Sequence, residues 1–207
     1  MEEHLFEEFR VFLPRYLNPE QQQQLFAALK QFPENKDYYL PQEYQNELLQ
    51  ADGWHGFIAI NFHSGDRRPV AGIVISNSCD IDINNPRDDD PNIVFAPLIR
   101  VAKFRQMLID SGKQEADADN KIDAIRNQRI SSVFYLPALP TVLEESMAVL
   151  DDLHQHPLAH FGASEKTKLF TLNQFGFYIF LVKISIHFTR FSENLPRFRP
   201  SEVVVQA

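Results

Sequence analysis

The first residues in this sequence with chemistry to offer are two adjacent arginines, Arg67 and Arg68, set just before Pro69 and the apolar run VAGIVIS. A guanidinium at the mouth of a strand can grip a carboxylate or stabilise charge on a phosphate. Further cations, Arg100, Lys103 and Arg105, follow the next apolar run. If they faced Arg68, they would form a phosphate groove. The plainer reading makes Arg67 and Arg68 a solvated pair at a strand entrance, bonded to Asp66 or Asp80. Such surface pairs contribute little on their own.

Cys79, with Asp80 and Asp82 beside it, closes the turn after that strand. A cysteine there becomes a nucleophile when a histidine lowers its pKa, and His55, His63, His154, His156 and His160 are available. None is tied to it by spacing, and a lone cysteine is among the most buried residue types. A packed, inert Cys79 is therefore expected. DIDINN (Asp80 to Asn85) opens like a calcium loop, but Asn85 stands where an EF-hand needs glycine and Pro91 where it needs glutamate. His154, His156 and His160 show no ligand-spacing motif. The chain also lacks a phosphate-binding glycine loop, a nucleophile elbow, HExxH and a dinucleotide fingerprint. Neither a metal nor a cofactor is assigned.

The elements that would carry these residues change character along the chain. Leu5, Phe6, Phe9, Phe12 and Leu13 recur at helical spacing. Asn18 is placed as an N-cap with Pro19 in the first turn, which predicts a helix from Pro19 to about Gln31, and Pro33 stops it. A third short helix is expected from Pro41 to Gln50. From Gly53 the period becomes two. GFIAINFH (Gly56 to His63) reads as a strand, SGDRRP as a turn, and VAGIVIS (Val70 to Ser76) as a strand buried on both faces. NIVFAPLI (Asn92 to Ile99) reads as a strand with a proline-containing edge. A helix from Arg100 to Gly112 follows, then an exposed charged stretch from Lys113 to Asn120. SSVFYLPAL (Ser131 to Leu139) and SMAVLDDL (Ser146 to Leu153) read as strands. The run FGFYIFLVKISIHF (Phe175 to Phe188) carries both periods, and its length favours a helix.

These elements predict an α+β protein with a small β-barrel core. The divisions are a helical N-terminal arm over residues 1–50, a barrel over 53–163, an apolar C-terminal element over 164–193 and an irregular tail over 194–207. The chain has 18 phenylalanines against one tryptophan, which suits a core filled by rings that need no hydrogen-bond partner. A formal net charge of −8 disfavours broad coating of nucleic acid, though a few local arginines can outweigh it. The single cysteine rules out an internal disulfide framework and points to a reducing, cytoplasmic setting. No signal peptide is evident in MEEHLFEEFR, and no membrane span is expected.

The order strand, SGDRRP turn, apolar strand, SNSCD turn, acidic loop, NIVFAPLI strand resembles the MazF/PemK-like toxin family. That family's SH3-like barrel has a similar run of RRP, apolar strand, serine-rich turn and V-x-x-P. SMAVLDDLHQHPL is similar to the family's closing strand, so the resemblance spans residues 53 to 160. It implies an SH3-like barrel with N-terminal helices and a C-terminal apolar helix. It also implies ribonuclease chemistry, in which the RNA's own 2′-OH attacks the adjacent phosphate. An arginine before the buried strand and a threonine at the end of the next one carry that reaction. Arg68 matches the arginine, whereas Leu98 and Ile99 occupy the threonine's place after Pro97.

The resemblance therefore implies first a binding or regulatory module of toxin–antitoxin or defence type, acting through a partner protein docked on the N-terminal helices. The alternative is an endoribonuclease cutting single-stranded RNA. In it Arg68 stabilises the phosphorane, His63 or Asp80 replaces the threonine, and Arg67, Arg100 and Lys103 hold substrate. A homodimer is compatible with either. A third expectation is a metal-dependent hydrolase built on the Asp80 loop and the histidines.

Overall fold

Alternating apolar residues from Gly53 onward pair, in the computed structural model, into one curled antiparallel sheet, a half-barrel flanked by helices. The structure describes residues 18–189 except 41, 42, 62, 83, 86 and 87. In chain order the elements are α1 (Pro19–Leu29), β1 (Tyr39–Leu40), β2 (Gly53–Ile60) and β3 (Arg67–Val74), followed by a 3-10 turn (Ser78–Asp80). Next come β4 (Asn92–Arg100), α2 (Val101–Asp110), α3 (Glu115–Arg126), β5 (Val133–Leu136) and β6 (Ser146–Val149). The chain continues through β7 (His154–Pro157), α4 (Leu158–Ala163), β8 (Thr167–Leu172) and α5 (Gln174–Thr189). The sheet runs β1-β8-β2-β3-β4-β6-β5, with β7 also paired to β4.

Local chemistry explains the helix starts. The Asn18 side chain accepts from the Gln21 amide at 2.9 Å, and the Gln21 side chain accepts from the Asn18 amide at 3.0 Å. This reciprocal cap with Pro19 in the first turn is what the sequence predicts. Helix α2 ends at Gly112, whose φ of +90° is the left-handed stop that glycine tolerates. Asn173 caps α5 by accepting from the Gly176 amide at 2.9 Å, while its own amide nitrogens donate to the Tyr38 and Asp37 carbonyls. The long apolar run is thus a helix, as expected. Being apolar on nearly every side, it buries Phe175, Tyr178, Ile179, Phe180 and Lys183.

Phenylalanine fills the core as the composition implies. Phe57 is fully buried between Phe95 and Phe161, with ring centroids 4.2 and 4.5 Å away. A second layer, with Tyr38, Phe134, Phe170, Phe175 and Phe180, packs β1, β5, β8 and α5 together. Gly72 is required by this packing, because a Cβ there would lie 2.7 Å from the Phe95 ring and 2.9 Å from that of Phe57.

Several expectations are corrected. The segment 43–50 is not helical, so among the described residues the N-terminal arm is helical only over α1. The apolar face expected from Leu5 to Leu13, and the tail over 194–207, lie outside the described residues. β3 is buried on both faces only from Gly72 to Val74, while Arg67, Arg68 and Pro69 are exposed. β4 is no edge strand, since it pairs with β3 on one side and with β6 and β7 on the other. The charged stretch after Lys113 forms α3, held by the buried residues Ala118, Ile122 and Ile125 at helical spacing. Short β7 and β8 join the sheet although neither stands out in the sequence. Cys79 is exposed, not packed. No described helix is long and apolar enough to cross a membrane.

Candidate functional site

The half-barrel opens where β4 leaves β3. Their ladder covers Gly72↔Pro97, Ile73↔Ala96 and Val74↔Phe95, and beyond Pro97 the strand pairs with β6 instead. Proline has no N–H to give to a ladder, so the split falls at the one β4 residue least able to extend it. The first half of β3 and the second half of β4 thus diverge. Between them, roofed by the loop 137–145 and the start of α2, lies a groove of about 1160 Å³.

Arg68, Arg100 and Lys103 all line this groove, so three of the cations singled out in the sequence come together. Arg100 is the residue before α2, and Lys103 sits in its first turn. Arg100 pairs with Glu144 at 3.3 Å, both side chains being two-thirds exposed, a weak and exchangeable contact. Among the described residues, neither Arg68 nor Lys103 has a carboxylate within 4 Å. The two groove carboxylates, Glu144 and Asp152, are engaged by Arg100 and by His154 at 3.2 Å. The walls are aliphatic and proline-rich, including Pro69, Pro97, Leu98, Leu139 and Pro140, and two large side chains there, Met107 and Val142, are about half exposed. No Phe, Tyr or Trp is among the described lining residues.

The remaining predicted site residues lie elsewhere. Arg67, at the start of β3, is not among the described lining residues. Asp80 follows the far end of β3, about 20 Å along the strand from Arg68 at 3.3 Å per residue. His63 belongs to the β2–β3 turn, where its amide donates to Asn61. Arg105 is held by Asp119 of α3 at 2.6 Å. The serine-rich turn is structural: Ser76 Oγ accepts from the Val94 amide at 2.8 Å, Asn77 accepts from the Cys79 amide, and Ser78 Oγ accepts from the Gln50 amide. His154 and His156 pack against Phe95 and Phe57, and burial, then His160, lowers the His156 pKa. Among the described residues no cluster of three or more His, Cys, Asp or Glu is placed to hold a metal ion.

Two groove residues were not anticipated. His55 and Phe57 would share a face in a regular strand. A β-bulge at Gly56, with φ of +107°, separates them, so Phe57 enters the core and His55 lines the groove. A Cβ at Gly56 would fall 2.7 Å from the Glu165 carbonyl, so glycine is required there. Thr141 lies at the tip of the turn closed by the Val142 amide and the Leu139 carbonyl at 3.0 Å, with Pro140 before it. Its φ is +65°, a conformation that favours glycine and strains a β-branched residue. Pro140 was the available signal, since proline favours the second position of such a turn, whereas a threonine at the third gives none. Thr141→Gly is expected to raise stability by about 1 kcal/mol in urea unfolding.

Fold and site together define a curled antiparallel half-barrel with a cationic, aliphatic-walled groove at its open seam. Neither a comparison with family models nor one with curated proteins finds a match for the chain.

Proposed function

We propose that this protein is a binding module built on a MazF/PemK-like barrel, of toxin–antitoxin or defence type, whose groove seats an extended acidic segment of a partner protein. The observation that carries this reading is the composition of the groove: Arg68 and Lys103, with no carboxylate within 4 Å among the described residues, set among aliphatic and proline walls. Such a surface suits a peptide that alternates carboxylates with aliphatic side chains. Non-specific single-stranded nucleic acid sites rely on aromatic side chains that stack bases, and none is among the described lining residues. Neither His63 nor Asp80 is among the described lining residues of the groove, which also favours binding over the rearranged nuclease site.

A second reading, an endoribonuclease, is supported by His55 lining the same groove as Arg68. His55 would take the 2′-OH proton, and the freed oxygen would attack the adjacent phosphate while Arg68 stabilises its charge. The 5′-oxygen would leave and take a proton from water, giving a cyclic phosphate.

Fluorescence polarisation separates the two. Peptides alternating Glu and Leu are expected to bind in a salt-dependent way. The double variant Arg68→Ala/Arg100→Ala is expected to bind about tenfold more weakly, which is 1.4 kcal/mol. Unchanged peptide affinity in that variant would sink the binding reading. Cleavage of a uridine-rich oligonucleotide that vanishes in Arg68→Ala and in His55→Ala would establish the nuclease instead.

A further inference from the structure

A second cavity, of about 440 Å³, shares no described lining residue with the groove. It lies between α1 and α5, bounded by Phe26, Leu29, Ile179, Val182 and Ile186, and its volume falls within the range usual for small-molecule sites. Residues 178, 179, 182, 183 and 186 recur at helical spacing, so a single face of α5 forms one wall.

Four polar residues interrupt this apolar lining: Lys30, which is exposed, Gln128, which is half-buried, and two that are buried, Tyr178 and Lys183. The Lys183 side chain belongs to a residue only 5% exposed, and among the described residues it has no carboxylate within 4 Å. Its ammonium has three protons to donate, and one acceptor is shown, the Gln128 carbonyl at 2.6 Å. Tyr178, 4% exposed, lines the same cavity, and its hydroxyl is buried with no hydrogen-bond partner among the described residues. A buried cation without a counter-charge and a buried hydroxyl without a partner are each unfavourable in isolation. Both become satisfied by one anionic, hydrogen-bonding headgroup whose tail occupies the apolar remainder. A carboxylate supplies that charge and enough lone pairs for two donors.

We propose that the α1–α5 cavity is a binding site for a free aliphatic monocarboxylate, held by Lys183 and Tyr178 at its head and by Phe26, Leu29, Ile179 and Val182 along its tail. A headless apolar ligand would leave both polar groups unmet.

The test uses the full chain, with calorimetry of decanoate and of decan-1-ol, which has the same tail without the charge. Decanoate is expected to bind at least tenfold more tightly than the alcohol. Lys183→Met is expected to erase that preference while the two ligands still bind, and Tyr178→Phe to weaken decanoate a few-fold with Tm unchanged. Equal affinities in the wild-type chain, or a preference that survives in Lys183→Met, would overturn the proposal. So would a failure of decanoate to bind, the result expected if residues 1–17, with Leu5, Phe6 and Phe9, fill the cavity instead. Tyr178→Phe, which removes only an oxygen, keeps the test open if the lysine variant folds poorly.

Discussion

Lys168→Met is expected to lower the stability of this protein by about 3–5 kcal/mol, the range found when one partner of a buried ion pair is removed. Lys168 Nζ lies 2.8 Å from Asp52 Oδ2, with side chains 2% and 0% exposed. The same ammonium donates to the Tyr44 carbonyl at 2.6 Å and the Glu47 carbonyl at 2.9 Å, and it sits over the Trp54 ring. Asp52 Oδ2 accepts from the Leu49 amide as well. One lysine thereby ties the irregular segment before β2 to β8 and neutralises a carboxylate that cannot reach water.

For a chain of this size, 1 kcal/mol corresponds to about 2–4 °C, so a fall in Tm on the order of 10 °C is expected in calorimetry. Burial already holds the Asp52 carboxyl above the usual carboxylate range, against the pull of Lys168. A raised carboxyl pKa gives stability that is present at low pH and is lost as pH climbs through the folded value. Without Lys168 that pKa rises further. The deficit of the variant should therefore be largest at neutral pH and shrink on acidification. Adding Asp52→Asn to Lys168→Met should recover part of the loss. A deficit that does not change with pH would contradict this account.

Lys183→Met is expected to act in the opposite direction. Burial lowers the Lys183 pKa to about 8 from an ordinary 10.5, a shift worth roughly 3 kcal/mol at 1.36 kcal/mol per unit. For a lysine whose folded pKa is depressed, the unfolded chain binds more protons between the two values, so stability rises with pH across that window. The penalty is in full force below pH 8 and is relieved by about pH 10.5. Methionine removes it, at the expense of the charge-assisted hydrogen bond to the Gln128 carbonyl, which is worth about 1.5–3 kcal/mol. The variant should be the more stable protein at pH 7, by up to about 1.5 kcal/mol in urea unfolding. Its advantage should vanish by pH 10. A variant that is less stable at pH 7 would show that Lys183 serves the fold.

The contrast between these lysines marks the limit of reading the sequence. Lys183 was visible as a charge within an apolar run, yet nothing in its neighbours showed that it lacks a carboxylate. Lys168 was not singled out at all, because Asp52 is more than a hundred residues away. Arg68, Arg100 and Lys103 were legible as cations flanking strands. That they share one groove follows from β4 parting from β3 at Pro97, which is a matter of pairing. His55 reaches the groove through a one-residue bulge at Gly56 that shifts the face of every residue beyond it.

What the sequence by itself determined is local. The Asn18 and Pro19 helix start, the Gly112 stop, the strands around Ile58, Ile73 and Phe95 and the helix after Asn173 follow from capping, backbone preference and period. These act over a few residues and need no distant partner. Tertiary structure decided the rest. It made β4 central, turned HQHP into a strand by pairing it with β4, and folded the charged stretch after Gln114 onto the core through three apolar side chains. The groove belongs to this second group. Its cations come from β3 and from the junction of β4 with α2, and only the sheet's register brings them together.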